Sequence, residues 1–347
     1  MTSIPAEALT GFAAAVLRGA GLPDDDADVV AASLVAADLR GVASHGVARL
    51  GQYLARIEHG VMVADPDIRI VNDMPAAALL DAGNGFGQLA ATRAMGIAIE
   101  KARVTGIGAV SVANSNHFGI AGLYAQQAAA AGLIGIVMTN ASPAMAPFNT
   151  SERMLGTNPL AIGIPAGAHP AIVLDMSSSL VARGKIRGAH RRGETEIPEG
   201  WAYDQGGRPT TDSAAALDGL LAPIGGAKGA GLSLMIDLLS GVLSGSGAGG
   251  AVTNITDISR PSRTGHLMIA LDPAAFIGRD IFERETAEIV DRIHSLPAAD
   301  GGRVYLPGEL EEQRSTHQLS SGIPLNATVL AELDELALKY AVTPIAS

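Results

Sequence analysis

Two hydrophobic periods divide this chain, and their order is the strongest limit on its fold. Residues 5–19 place Leu9, Phe12, Val16 and Leu17 at helical spacing and stop at Gly19 and Gly21. Pro23-Asp24-Asp25-Asp26 starts a second helix, with acids against the positive end of its dipole, and Val29, Val30, Leu34 and Val35 carry it to Gly41. A third begins near Ser44 and continues to Gly60. After Pro66 short apolar runs take over, at 77–81, 107–112, 134–139, 160–165 and 171–176, with helices at 88–104 and 119–131. Residues 184–212 read as a long irregular excursion, a kind of loop that is usually functional. A helix at 229–243, a Gly/Ser-rich stretch at 244–250, a strand at 266–271 and helices at 277–296 and 328–340 follow. Helical ends around a sheet-forming middle predict an α/β (α+β) fold, with the termini packed together as a discontinuous helical domain over 1–75 plus 290–347. Residues 76–289 then form the sheet domain, and 347 residues are enough for both.

Composition narrows the chemistry. The absence of cysteine excludes a disulfide scaffold, a Cys nucleophile, Cys-ligated zinc and iron–sulfur clusters, and it fits a reducing compartment. Aromatic residues are only 3%, so the core must be built from Ala, Val, Ile, Leu and Met. Lys plus Arg is 24 against 35 Asp plus Glu, a net charge of −11 that repels nucleic acid and anionic lipid. The most apolar stretches, 128–139 and 229–243, are too short to span a bilayer, and the opening MTSIPAEALT has no signal-peptide pattern. The expectation is a soluble cytoplasmic protein with neither nucleic acid nor membrane as partner.

Five segments carry candidate chemistry. Gly83-Asn84-Gly85-Phe86-Gly87 follows a strand and opens a helix, but its spacing is GxGxG and no acid ends a second strand at the dinucleotide-fold distance. A turn is the better reading. Arg183-Gly184-Lys185-Ile186 fails as a Walker A loop, so a bound nucleotide would use neither standard cradle.

On a helix starting at Gly46, Val47, Leu50, Leu54 and Ile57 share an apolar stripe, and His45, Arg49, Gln52 and Arg56 fall opposite. His45 and Arg49 can then reach one small anion, although a solvated polar face has the same spacing. Asn114 to Gly119, with His117, leaves the carboxyl end of a strand, where α/β ligands gather; an N-cap histidine fits equally. Leu155 to Pro159 and Leu174 to Ser179 are dense in hydroxyls and amides, which suits ribose binding or turns. Gly225 to Gly231 offers free amides and Lys228 to an anion, or serves as a loop and cap. The other histidines form no HxH or HExxH pair, so no metal is expected, and no Gly-x-Ser-x-Gly elbow is present.

Taken in order, these segments closely resemble the malate/L-lactate dehydrogenase family of NAD(P)-dependent oxidoreductases that lack a Rossmann fold. The matching stretches are SHGVARL (44–50), SNHFGIAGLY (115–124), LGTNPLAIGIP (155–165), LDMSSS (174–179), ARGKI (182–186), IPEGWAYDQGGRPTTD (197–212), GGAKGAGLSLMID (225–237) and LPGE (306–309). The family also includes sulfolactate and ureidoglycolate dehydrogenases and Δ1-piperideine-2-carboxylate/Δ1-pyrroline-2-carboxylate reductases. The resemblance implies a homodimer and NAD or NADP held in a mixed-sheet domain. It implies a cofactor cradle of His117, Gly119, Asn140, Asp175, Met176, Ser177, Lys228 and Gly229. It implies a small carboxylate substrate held by Arg49 and Thr157 near Ser44, with His45 or His117 transferring the proton.

Reduction of a 2-oxo acid needs a hydride, a proton for the carbonyl oxygen and a cation on the carboxylate. The cation Lys185 stands where the cyclic-imine reductases of the family carry Asp, which favours a 2-oxo acid and its 2-hydroxy partner over a cyclic imine. Ala227 replaces a bulkier family residue and opens room near the cofactor. The alternatives are a cyclic-imine reductase and, more remotely, a non-catalytic nucleotide-binding protein.

Overall fold

The computed structural model describes residues 1–299 and 301–345. In chain order the strands are β1 (Thr2–Ile4), β2 (Arg69–Asp73), β3 (Ala77–Asp81), β4 (Ile107–Ser115), β5 (Ile134–Thr139), β6 (Leu160–Ala166), β7 (His169–Met176), β8 (Ala202–Tyr203), β9 (Pro209–Thr210), β10 (Leu220–Leu221), β11 (Thr264–Leu271) and β12 (Ile323–Leu325). The helices are α1 (Ala6–Gly19), α2 (Asp24–Leu39), α3 (Leu50–Glu58), α4 (Gly87–Thr105), α5 (Gly122–Ala130), α6 (Arg183–Arg191), α7 (Ser213–Asp218), α8 (Ala227–Asp237), α9 (Arg279–His294), α10 (Glu309–Ser321) and α11 (Ala327–Lys339).

Seven strands form one mixed sheet in the order β2-β3-β4-β11-β5-β6-β7. Only the β3–β4 pair is parallel; its other neighbours run antiparallel. A doubly wound dinucleotide fold needs successive parallel strands, so this sheet is of another kind, as the failed glycine fingerprint required.

Helices α4 and α5 lie on the sheet at unusually short range. A Cβ at Gly108 would sit 2.0 Å from the Ala98 carbonyl oxygen, and one at Gly163 would sit 2.4 Å from that of Ala125. Ala90, Ala91, Ala94, Ala98 and Ala102 line the buried side of α4. Alanine fills most of the α4 contact, and the rings of Phe118 and Tyr124 are accommodated beside it. The two termini share a separate core. Leu9, Leu17, Val30, Leu34, Leu50 and Leu54 pack with Leu333 and Ala337, and β1 pairs with β12.

Three elements differ from expectation. Residues 184–212 are not irregular: α6 and the small β10-β8-β9 sheet bury Ile186, Ala189, Ile197 and Ala202. Two apolar positions in nine-residue α6 are too few for a period to show. The 229–243 helix ends at Asp237 and widens into a π-turn over Leu238–Val242. The unexpected α10 has no buried residue, so it carries no apolar stripe to detect.

His266, in β11, is fully buried. Its Nδ1 lies 2.6 Å from Thr139 Oγ1, its Nε2 lies 2.7 Å from Ser115 Oγ, and its ring stacks on Phe118 at 4.6 Å. Burial pushes its pKa down from 6.5 to about 3.

Two stability predictions follow from this packing. Gly108→Ala is expected to destabilise by about 1–3 kcal/mol through overpacking. Gly96→Ala, where a Cβ meets only Gln127 at 3.9 Å, is expected to stabilise by about 0.5–1 kcal/mol. Urea midpoints of the two variants should move in opposite directions. His266 stays neutral in the native state between pH 6.5 and about 3, while the unfolded chain takes up its proton near 6.5. Stability should therefore fall as pH drops below 6.5, at up to roughly 1.4 kcal/mol per unit from this residue. His266→Gln should flatten the pH dependence of the urea midpoint by that share, and a wild-type midpoint unchanged to pH 5 would contradict the assignment.

Candidate active site

The site begins with a carboxylate under a glycine. Asp38, near the end of α2, is buried and accepts the Val47 N–H at 2.8 Å. Burial pushes its pKa up to about 7, and the Val47 N–H opposes the shift. A Cβ at residue 46 would lie 2.0 Å from Asp38 Oδ1, so only glycine fits. The chain therefore passes through two 3-10 turns, Ala43–His45 and Val47–Arg49, before α3 starts at Leu50 rather than at Gly46. Val47, Leu50 and Leu54 are buried as their spacing predicts.

Arg56 is not on a solvated face. It is 1% exposed, and its guanidinium donates to the carbonyls of Asn254, Asp257 and Arg260 and to Asn116 Oδ1. A periodicity argument assigns any Arg to the polar side and cannot anticipate carbonyls that arrive from two hundred residues away.

The GNGFG segment is a packing turn. Gly83 has φ +57°, and a Cβ at Gly85 would lie 2.3 Å from Pro66 Cγ. A Cβ at Gly87 would lie 2.3 Å from the Asn116 carbonyl oxygen, so α4 begins pressed against the 116–117 backbone. Asn116 Nδ2 in turn donates to the Gly85 carbonyl at 2.8 Å. This contact delivers Gln88 to the site.

The rings of His45 and His117 stack at 5.3 Å, with 25° between their planes. Ser44 Oγ lies 2.9 Å from His45 Nδ1. Arg49 donates from Nε to the Ser44 carbonyl at 2.6 Å and from Nη1 to Gln52 Oε1 at 2.7 Å. The Tyr53 hydroxyl lies 2.6 Å from His117 Nδ1 and accepts from Gln88 Nε2 at 2.9 Å. Burial, then the Arg49 charge, pushes the His45 pKa down to about 4. Burial, then His45, Arg49 and His266, holds His117 well below the usual histidine range. Two neutral imidazoles beside a guanidinium can grip an anion and move a proton next to it.

The remaining candidates form a second group. The Thr157 carbonyl accepts both the Ser178 N–H, at 2.8 Å, and the Ser178 hydroxyl, at 2.9 Å. Asp175 Oδ2 accepts the Gly122 N–H at 2.7 Å; burial raises its pKa and that N–H opposes the rise. Met176 and Ser177 are half-buried beside it. Asn158 Nδ2 donates to the Ser233 carbonyl and Ser233 Oγ to the Gly156 carbonyl, which ties this group to α8. Lys228 is exposed in the first turn of α8. Gly229 is buried where a Cβ would lie 2.1 Å from the Ile224 carbonyl oxygen, so it is needed for packing. A cleft of about 370 Å³ lies at this helix start, bounded by Asn149, Ser151, Tyr203, Pro223 and Gly226.

Two expected residues stand apart. The Asn140 side chain is engaged inside the protein: Nδ2 donates to Asp237 Oδ1 and the Gly247 carbonyl, and Oδ1 accepts the Gly265 N–H. It is a structural tie, with one lone pair of Oδ1 not engaged by these bonds. Lys185 is exposed on α6 and lines a different cleft with Trp201 and Arg192. Sequence reasoning passed over Tyr53, Gln88 and Asp38. Tyr53 was within reach, because it lies one turn beyond Arg49 on the helix that carries it.

Residues 4–334 match the family described as malate/L-lactate dehydrogenase. The chain is 42% identical over 348 residues to a malate dehydrogenase of Pyrococcus abyssi, which covers 98% of this chain and 95% of the relative. It is 41% identical over 321 residues to the L-sulfolactate dehydrogenase of Methanocaldococcus jannaschii, covering 92% of each. The solved structure of that archaeon's sulfolactate dehydrogenase superposes with a TM-score of 0.94 at 38% identity, covering 99% of both chains. Two further relatives are named for their cofactor, one for NADP(+) and one for NAD(+). The chain belongs to the malate/L-lactate dehydrogenase family, and it is an oxidoreductase.

Proposed function

We propose that the protein interconverts a small 2-oxo acid and its 2-hydroxy acid with NADH or NADPH. The observation that carries this reading is the stacked His45–His117 pair with Arg49 beside it. The residues present fit a dinucleotide. Gly225 and Gly226 have positive φ with open space where a side chain would be, and no side chain caps α8. The first amides of α8 and Lys228 would hold a pyrophosphate, and Asp175, with Met176 and Ser177, would receive a ribose. Gly119 and His117 would lie along the reactive end. Bound there, the nicotinamide supplies or takes the hydride.

The chain's own residues do the rest. Arg49 grips the carboxylate through two parallel hydrogen bonds, and the Thr157 hydroxyl and Ser44 add neutral ones. His45 or His117 exchanges the proton of the substrate oxygen. Arg49 also sets when that proton is present. Burial keeps both imidazoles neutral in the free enzyme, and the Arg49 charge adds to it. A bound carboxylate offsets that charge and raises the proton affinity of the imidazoles, against the burial that still disfavours the imidazolium. The position of Lys185 removes the argument that separated a carbonyl from a cyclic imine, and nothing in the geometry favours the imine.

The division into a helical unit (1–75 plus 290–347) and a cofactor unit (76–289) is supported by two hydrophobic cores, the first of which also takes in Phe86 and Leu89 from the start of α4. A homodimer is supported by an exposed apolar face on α8 and its π-turn, formed by Met235, Leu238, Leu239, Val242 and Leu243. A cytoplasmic location is supported by the lack of cysteine. Among the described residues no helix is long and apolar enough to cross a membrane.

Three measurements test this. His45→Ala and His117→Ala, assayed with NAD(P)H and a panel of 2-oxo acids, should each lower kcat by roughly 10²–10⁴ where the residue transfers the proton; a change confined to the KM of the cofactor marks a binding role. Arg49→Ala should lower kcat/KM by about 10–150-fold, with incomplete rescue by Arg49→Lys, because an ammonium lacks the planar fork. A loss within about threefold, under ~0.7 kcal/mol, would exclude the carboxylate clamp. The kcat/KM for the 2-oxo acid should fall about tenfold per pH unit between pH 6 and 8, because the free enzyme's histidines are already neutral there. For the dimer, Leu239→Asp with Leu243→Asp should halve the mass measured by light scattering.

A further inference from the structure

Two contacts meet at His117 Nδ1, and a third acts on it through Tyr53. The Gly119 N–H points at Nδ1 from 3.3 Å, and a backbone amide can only donate. Gln88 Nε2, also only a donor, points at the Tyr53 oxygen from 2.9 Å. Among the described residues the Tyr53 hydroxyl has no acceptor for its proton other than Nδ1, to which it donates across 2.6 Å. Nδ1 is bare, and in neutral His117 the proton is on Nε2. Among the described residues nothing bonds Nε2, and His117 is half-buried, so Nε2 is the nitrogen available to a substrate.

The other end of the Gln88 amide is the second observation. Gln88 is 0% exposed, and its Oε1 has no hydrogen-bond partner. Turned over, the amide would present Oε1 to Tyr53. The tyrosine would donate to Gln88 and accept from Nδ1–H, leaving Nε2 bare, and the Gly119 N–H, 3.3 Å from Nδ1, would lose its acceptor. The two orientations of one amide thus correspond to the two tautomers of the imidazole.

We propose that Gln88 is a positioning residue that selects, through Tyr53, which nitrogen of His117 carries the proton. In the orientation observed, His117 is a hydrogen-bond donor at Nε2, suited to holding the substrate oxygen. In the turned orientation Nε2 is a base: it takes the hydroxyl proton of the 2-hydroxy acid, and the resulting imidazolium is held at Nδ1–H by Tyr53. The same state, run backwards, returns the proton to a 2-oxo acid. The inference rests on the proton-transfer role proposed for His117. The charged and titratable groups around that ring are His45 and Arg49 from the turns before α3, Tyr53 from α3, and His266 from β11, with Tyr124 of α5 behind Phe118. None of these is a carboxylate, so the relay is the route by which a neutral side chain can bias the imidazole.

The experiment is 15N NMR of histidine-labelled protein, with the His117 signals identified by their loss in His117→Gln. Wild type at pH 7.5 should show a protonated Nε2 and a bare Nδ1. Gln88→Glu can only accept from Tyr53 when ionised, so it should move the proton to Nδ1 and shift the pH profile of kcat/KM upward by about one unit. Gln88→Met can neither donate nor accept, so only the Gly119 N–H still favours a bare Nδ1, and the Nδ1–H tautomer should become detectable beside the Nε2–H form. In Tyr53→Phe the relay is cut, and adding Gln88→Glu should then change neither the spectrum nor the profile. A wild-type proton on Nδ1 would overturn the proposal. So would a Gln88→Met spectrum identical to wild type, which serves if Gln88→Glu does not fold. So would a Gln88→Glu shift that survives Tyr53→Phe. If His117→Gln leaves kcat unchanged, the proton-transfer role fails while the NMR result on Gln88 stands by itself.

Discussion

A missing side chain at Gly87 determines where the chemistry can occur. The start of α4 lies so close to the strand exit at 116–117 that a Cβ would meet the Asn116 carbonyl oxygen at 2.3 Å. Helix and strand end therefore share one position, and the next residue, Gln88, falls beside Tyr53 and His117. The far end of α4 is held the same way, at Gly108 against Ala98. Close packing of this kind transmits small displacements rather than absorbing them. A helix clamped at both ends gives the imidazole a support with little freedom to drift, which a loop could not provide.

The polar ties between the terminal core and the sheet serve the same end. Arg56 extends from α3 to the 254–260 segment and to Asn116, the neighbour of His117. Asp38 holds the Val47 amide and, through Gly46, the turn that carries His45. Buried charges are costly unless their partners are all in place. A buried guanidinium on one side of the histidine pair and a buried, hydrogen-bonded carboxyl group on the other tie the position of the two histidines to folding. Neither tie contributes a reacting atom, and both decide which atoms can meet.

Regular, locally encoded elements were legible in the sequence, and long-range polar contacts were not. The strands at 77–81 and 134–139 have the bounds that their apolar runs indicate, and α1, α2, α4, α9 and α11 fall where period and caps place them. His45, Arg49 and His117 come together as expected. The misses share a cause. Arg56 is buried by carbonyls from another part of the chain, and α10 has no apolar stripe. Hydrophobic period reports what faces a core; it says nothing about which polar group meets which. Gln88 shows this most clearly. Its neighbours Phe86 and Leu89 mark a buried helix start, but only Tyr53 and the Gly119 amide give its orientation meaning.

Charge explains why an anion completes the site. The chain carries a net charge of −11, yet the charged groups acting on the two histidines are cationic. Arg49 in turn feels Arg187 of α6, so positive potential accumulates where the fold otherwise favours negative. Burial and this potential act in the same direction on the imidazoles, and both disfavour the proton. A carboxylate at Arg49 reverses one of the two. Linkage then works both ways: a bound carboxylate raises histidine proton affinity, and a protonated histidine raises carboxylate affinity by the same factor. In the proposed reaction, substrate binding and acid activation would thus be coupled through a guanidinium that carries no proton itself.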